Sequence, residues 1–234
     1  MYSICYLLDS TVTKMITITV LLLLISPSIG LDDDYVTIGS TVKLLNQEYK
    51  VRLHSHDVKY GTGSGQQSVT GMSSQDDANS YWQIRSSTQE KIARGTPVKC
   101  GQSIRLTHIK TFTNLHSHHF QAPMSSGQEV SCFGEDGAGD HLDNWVVVCD
   151  GTYWGRKNLV QFKHEETESI LACSSKVYGR PINGQQEVLA TTSSDRSKST
   201  YWKTMEGIIL RPGYDERYIL WAVSLRFELS DCWW

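Results

Sequence analysis

Apolar and polar residues alternate in three short segments, Val42-Lys43-Leu44, Ile104-Arg105-Leu106 and Val160-Gln161-Phe162. A period of two turns one face of a strand toward a core and the other toward polar surroundings. Eleven residues after the first member of each segment stands a leucine: Leu53, Leu115 and Leu171. Each leucine is followed by a Gly-Gln turn, then by a second short strand pattern (Gln67-Ser68-Val69, Gln128-Glu129-Val130, Gln186-Glu187-Val188), then by a tryptophan: Trp82, Trp145 and Trp202. The leucines lie 62 and 56 residues apart and the tryptophans 63 and 57, so the units differ by small loop insertions. One unit of roughly 60 residues is used three times.

The segments between these strands are turn-rich: Gly61-Thr62-Gly63-Ser64-Gly65, Ser125-Ser126-Gly127, Gly137-Ala138-Gly139 and Asn183-Gly184. No amphipathic helical stretch of useful length interrupts them. Each unit supplies about four short strands, too few to bury its own apolar face. Three such units close around a pseudo-threefold axis into a small barrel capped by hairpins, an all-β chain with the β-trefoil arrangement, and closure removes exposed sheet edges. An open three-bladed array is the alternative, and it leaves edges unpaired.

The first thirty residues do not share this pattern. Lys14 precedes an uncharged, apolar run from Met15 to Ile25, which ends in Ser26-Pro27-Ser28-Ile29-Gly30, with small residues at the −3 and −1 positions of a cut after Gly30. Eleven residues are too few to cross a bilayer core of about 30 Å, so the segment reads as a signal peptide over residues 1–30 and no membrane span is expected after its cleavage. That predicts passage through the secretory pathway, where disulfides persist. Without Cys5, the cysteines are Cys100, Cys132, Cys149, Cys173 and Cys232, an odd number. Cys100 lies just before the first strand of the second unit and Cys149 just after its tryptophan. If the unit closes on itself these are neighbours, and a bridge there closes a loop of about 50 residues, worth roughly 4 kcal/mol in the chain-entropy model. Two buried free thiols are the other reading. Cys132 and Cys173, on predicted strands of adjoining units, stay unassigned. With 39% hydrophobic and 20% charged residues the chain can bury a core, and its net charge of −3 without any Lys/Arg stripe makes nucleic acid and anionic membrane poor partners.

Several ordered motifs carry a family resemblance: Val42-Lys43-Leu44-Leu45-Asn46, Val51-Arg52-Leu53-His54-Ser55-His56-Asp57, Gly65-Gln66-Gln67-Ser68-Val69-Thr70-Gly71 and Asn79-Ser80-Tyr81-Trp82. So do Arg94-Gly95-Thr96-Pro97, Asn114-Leu115-His116-Ser117-His118-His119-Phe120 and Tyr201-Trp202-Lys203 with Met205-Glu206-Gly207. Together, over about residues 35–210, they resemble the stromal cell-derived factor 2 family, whose units are MIR repeats. The resemblance implies a β-trefoil of three MIR repeats (residues 33–88, 95–150 and 151–206) followed by an atypical tail at 207–234. It implies a non-enzymatic protein of the endoplasmic reticulum lumen, whose partners are a luminal J-domain co-chaperone, its Hsp70 and unfolded protein clients, with a link to protein O-mannosylation. Two features depart from the family. Ile38 and Ile92 stand where a further cysteine pair is expected, and the chain ends Ser230-Asp231-Cys232-Trp233-Trp234 instead of in a Lys-Asp-Glu-Leu-like retrieval signal, which leaves secretion as the alternative to luminal residence.

The histidines offer the most tempting chemistry. His54 and His56, like His116 and His118, stand two apart, which on a strand puts both rings on one face as potential Zn²⁺ or Cu²⁺ ligands; the third unit has Ala172 and Ser174 there. Nothing in the sequence identifies a further ligand, so no metal and no cofactor are expected. The same rings could instead bond backbone at the repeat turns or face a partner. His54, His56, Tyr60, His116, His118 and His119 form the candidate partner or ligand surface. The acidic loop Glu135-Asp136-Gly137-Ala138-Gly139-Asp140-His141-Leu142-Asp143 lacks the spacing of an EF-hand and reads as a solvated turn. Aromatic faces suit sugar rings, so a carbohydrate-binding trefoil is the competing reading, although the place of each tryptophan at a unit's end argues first for core packing. No Ser/His/Asp order, H-E-x-x-H motif or nucleotide loop supports catalysis, no His-Pro-Asp triplet marks a J-domain, and no Asn-x-Ser/Thr sequon occurs.

Overall fold

The computed structural model describes residues 35–211 except 193 and 195. The signal peptide, Cys5, Cys232 and the tail beyond residue 211 lie outside the described residues. Twelve strands follow one another in three sets of four. The first set is β1 (Thr41–Asn46), β2 (Arg52–Lys59), β3 (Gln67–Met72) and β4 (Trp82–Ser86). The second is β5 (Ser103–His108), β6 (Asn114–Gln121), β7 (Gln128–Phe133) and β8 (Trp145–Val148). The third is β9 (Leu159–His164), β10 (Ile170–Val177), β11 (Gln186–Thr191) and β12 (Trp202–Ile208). A short 3₁₀ turn precedes the last strand of every set: Ala78–Ser80, His141–Asp143 and Lys198–Thr200. Among the described residues no helix is long and apolar enough to cross a membrane.

The first and last strand of each set form a closed six-stranded ring. β1 pairs with β4, β4 with β5, β5 with β8, β8 with β9, β9 with β12 and β12 with β1, all antiparallel. The two middle strands of each set form a hairpin, β2–β3, β6–β7 and β10–β11. These hairpins meet in a triangle through β3–β7, β7–β11 and β11–β3. This is the β-trefoil, recovered from strand pairing alone. At the entry to the three sets, Val36 N–H donates to the Trp154 carbonyl at 2.9 Å, Trp154 N–H to Val98 at 2.8 Å, and Val98 N–H to Val36 at 2.9 Å. The three bonds make a cycle about the axis. β12 runs through Ile208, past the expected unit boundary at 206, because Ile208 still pairs with Thr41.

The alternation sorts residues as strand geometry requires: Val42, Leu44, Ile104, Leu106, Val160 and Phe162 are fully buried in one core cluster. The two residues that mark each repeat are bonded to each other. The indole N–H of Trp82 donates to the Leu53 carbonyl at 2.8 Å, that of Trp145 to Leu115 at 2.9 Å, and that of Trp202 to Leu171 at 3.0 Å. Each fully buried ring thereby fills the barrel while its polar atom is satisfied by a strand carbonyl. The polar members Lys43 and Gln161 are buried, and Arg105 is partly buried. Lys43 donates to the Gln75 carbonyl at 2.6 Å and lies over the Tyr81 ring, Arg105 donates to the Gly137 carbonyl at 3.2 Å, and Gln161 donates to the Thr200 hydroxyl at 2.6 Å. In each set this residue ties down the connection before the last strand. Cys100 and Cys149 form a disulfide that joins the two ends of the second set. Ile38 belongs to the apolar core cluster and partly buried Ile92 packs against it, so hydrophobic contact occupies the places of the expected cysteine pair.

Candidate functional site

The histidines divide by depth and partner. His108 and His164 end β5 and β9 and are fully buried. His108 Nε2 donates to the Asn79 carbonyl at 2.9 Å and Nδ1 meets the Thr111 hydroxyl at 2.8 Å. His164 repeats this with the Leu142 carbonyl at 2.8 Å and Thr167 at 2.9 Å. At the same place in the first set, Asn46 donates to the Ser199 carbonyl at 2.7 Å. All three hold the middle of a 3₁₀ turn. Burial pulls His108 down to about 4 and lowers His164 as well, so both rings stay neutral props.

His54 and His116 point instead at carboxylates. His54 Nδ1 lies 2.6 Å from Asp77, the residue that caps the first 3₁₀ turn, and Ser80 also donates to that carboxylate. Burial works to raise Asp77, but the hydrogen bonds from Ser80 and His54 outweigh it and hold the carboxyl below its ordinary range. His116 Nδ1 lies 2.9 Å from Asp143 and 3.8 Å from Asp140. Asp143 is fully buried and also accepts from Asn114 and from the Asp140 N–H, closing a capping box, so the acidic loop is not merely a solvated turn. His116, Asp140 and Asp143 bring three potential metal-ligand atoms within 4.8 Å. Each is already engaged in these structural bonds.

On the hairpin triangle, the second member of each pair meets the start of the opposing strand. His118 Nε2 bonds Glu129 at 3.1 Å, His56 Nδ1 meets the Ser68 hydroxyl at 3.3 Å, and Ser174 donates to Glu187 at 2.8 Å. Both glutamates are fully buried. Glu129 also accepts from the Ser64 hydroxyl and N–H of the first hairpin's loop, and Glu187 from the Ser125 hydroxyl and Met124 N–H of the second. Each carboxylate therefore pins a neighbouring set's loop. Burial works to raise Glu129, but the bonds from His118 and Ser64 hold it below its ordinary range. Burial, and then His54, lower His56.

The expected partner surface is corrected accordingly. His54 (2% exposed), Tyr60 (6%) and His116 (2%) are interior, fixed by Asp77, by the Val69 and Val130 carbonyls and by Asp143. His56 and His118 are partly exposed, and His119 is exposed. The sequence reading missed three phenylalanines in the second set: Phe112 (54% exposed), Phe120 (52%) and Phe133 (37%). Rings run in a file from Phe133 to His116 (4.9 Å), His118 (5.3 Å) and Phe120 (4.7 Å). Phe112 occupies a left-handed turn position (φ 53°) where the other sets carry exposed, charged Lys50 and Glu168. A bulky residue is strained there and an exposed aromatic gains no burial. The signal available in the sequence was the comparison across sets: Phe112, Phe120 and Phe133 replace Lys50, Val58 and Met72 of the first and Glu168, Lys176 and Thr191 of the third. Among the described residues the tryptophans are no sugar platform, since Trp82, Trp145, Trp154 and Trp202 are fully buried. Nor are the free thiols exposed nucleophiles: burial pushes Cys132 up to about 12 and raises Cys173 also. They are not bonded to each other.

With this geometry in hand, comparison with known proteins gives a consistent result. Residues 43–200 match the MIR domain. Mouse stromal cell-derived factor 2 is 59% identical over 177 residues, which span 76% of this chain and 83% of that protein. The chain belongs to the stromal cell-derived factor 2 family. The crystal structure of the SDF2-like protein from Arabidopsis thaliana shares 40% identity with a TM-score of 0.73, covering 76% of this chain and 99% of that one. The structure of a protein O-mannosyltransferase complex of S. cerevisiae bound to its sugar donor shares 28% identity with a TM-score of 0.68, covering 80% of this chain but 28% of that one. For this family member, the MIR match over residues 43–200 runs from β1 through β11 and takes in the three hairpins of the triangle, with Phe120 and Phe133 on the second.

Proposed function

We propose that this family member is a non-enzymatic adaptor of the endoplasmic reticulum lumen, which joins a J-domain co-chaperone and its Hsp70 and helps to hold unfolded clients. The phenylalanine strip of the second set carries the reading. Phe120 and Phe133 on the second hairpin, with Phe112 in the turn before it, are exposed aromatic rings that the other two sets lack among the described residues, and aromatic residues concentrate where proteins bind one another. The disulfide and the secretory reading of the first thirty residues support the compartment. The likeness to a protein O-mannosyltransferase supports a link to mannosylation at the level of a shared module. Affinity purification from the secretory lumen, followed by mass spectrometry, tests the proposal. J-domain and Hsp70 peptides are expected with the parent chain and a loss of at least tenfold with Phe120→Ser/Phe133→Ser. Their absence from the parent sample overturns the adaptor, and undiminished recovery with the double variant overturns the strip.

The same strip favours one second reading, a carbohydrate-binding trefoil, because exposed aromatic rings beside histidines suit a pyranose face. Saturable binding of mannose-rich glycans by the purified chain is its expected result. A glycan array without hits removes it.

A further inference from the structure

Independently of the adaptor reading, we propose that His54, His56 and Met72 form a binding site for a soft transition-metal ion, Cu(I), on the hairpin of the first set. The starting observation is an orphan. His54 Nε2 is buried and has no hydrogen-bond partner among the described residues. A buried polar atom without a partner costs about 1–3 kcal/mol, and the two structural histidines avoid that cost: His108 and His164 each bond through both nitrogens. His54 is engaged only through Nδ1. Asp77, as a carboxylate, accepts, so the tautomer that bonds it carries its proton on Nδ1 and presents a lone pair at Nε2. A carboxylate behind an imidazole is the outer shell that orients metal-ligating histidines.

The neighbours supply the remaining donors. The His56 ring lies 5.1 Å from that of His54 and nearly perpendicular to it, held by one long contact of 3.3 Å to the Ser68 hydroxyl. Ligation by both rings requires the partly exposed His56 ring to turn from Ser68 toward His54 Nε2. Met72 enters through strand register. Arg52 pairs with Met72 and His54 with Thr70, so Met72 is the diagonal neighbour of His54 on the same face. At the corresponding place in the second set, Phe133 touches His116 at 4.9 Å. Arg52, the residue paired with Met72, carries a positive charge that Glu206 neutralises at 2.6 Å.

The donor set chooses the ion. Two imidazoles and a thioether form a soft, three-ligand group, which suits Cu(I) over ions that prefer oxygen. A zinc site wants four ligands, and the three-member group of His, Cys, Asp or Glu found among the described residues is His116-Asp140-Asp143, not this one. The other sets act as controls within the chain. In the second, His118 is tied to buried Glu129 and a phenylalanine replaces the methionine; in the third, Ala172, Ser174 and Thr191 hold the three places.

The test is an anaerobic Cu(I) titration of the chain with ascorbate, against a colorimetric Cu(I) chelator, in a Cys5→Ser/Cys232→Ser background that removes both thiols outside the described residues. One ion per chain is expected. His56→Gln and Met72→Leu should each weaken binding at least about tenfold, while His118→Gln leaves it unchanged. X-ray absorption should lose one sulfur neighbour in Met72→Leu. Failure to compete with the chelator overturns the site, as does binding indifferent to His56→Gln and Met72→Leu or abolished by His118→Gln. Circular dichroism of each variant separates lost ligation from lost fold.

Discussion

His108 should make the stability of the fold depend on pH in a way that one substitution removes. Its folded-state pKa lies near 4 against an ordinary 6.5, because burial disfavours the charged ring. Between those values the unfolded chain binds more protons than the folded one, so stability rises with pH through this window and is lost as pH falls. A depression of that size gives a full linkage of about 3 kcal/mol. Between pH 7.5 and pH 5 about 2 kcal/mol of it should disappear. The replacement that isolates it is His108→Asn, since Asn46 already performs the same task in the first set by donating to Ser199. At pH 7.5 the variant should be less stable than the parent by about 1–3 kcal/mol, from lost ring volume. At pH 5 the gap should shrink by about 2 kcal/mol or reverse. Urea unfolding at the two pH values, followed by tryptophan fluorescence, reads both numbers. His164, also lowered by burial, contributes a slope of the same sign that both proteins keep. A gap between parent and variant that does not change with pH would refute the assignment of His108 as a buried neutral prop.

Removing the bridge with Cys100→Ala/Cys149→Ala should cost about 4 kcal/mol, because the two residues are 49 apart and their bond restricts the unfolded chain; a urea midpoint that does not move contradicts this. Trp145→Phe keeps an aromatic ring but removes the indole N–H that donates to the Leu115 carbonyl, with an expected cost of about 1–3 kcal/mol in the same measurement. Gly71→Ala should destabilise by about 1–3 kcal/mol, since a Cβ there meets Val51 at 2.5 Å and the Cys173 sulfur at 3.3 Å; a neutral outcome would show that Val51 can give way.

The architecture was legible in the sequence because each repeat carries residues that cannot be exchanged without losing a specific bond. A leucine and a tryptophan about thirty positions apart meet as carbonyl and indole N–H in every set. Positions whose chemistry changes between sets were not legible. Asn46, His108 and His164 do one job, yet two are ring nitrogens and one an amide. The candidate surface failed at His54 and His116 for a related reason. Their carboxylate partners, Asp77 and Asp143, follow 23 and 27 residues later on 3₁₀ turns, and spacing on a single strand says nothing about them. Alternation also misplaced Lys43 and Gln161. An alternating strand predicts two faces, and here a connection rather than solvent covers the second.

The cycle of bonds through Val36, Trp154 and Val98, with the hairpin triangle, means that in space no set comes first. The beginning and end of the described body also meet, since the Leu210 carbonyl accepts from Thr37 and its N–H donates to Ser40. Which junction is left open is therefore an accident of chain order. A circular permutant, opened between two later sets and sealed between Leu210 and Tyr35 by a short linker, should rebuild the same wheel from a different spoke.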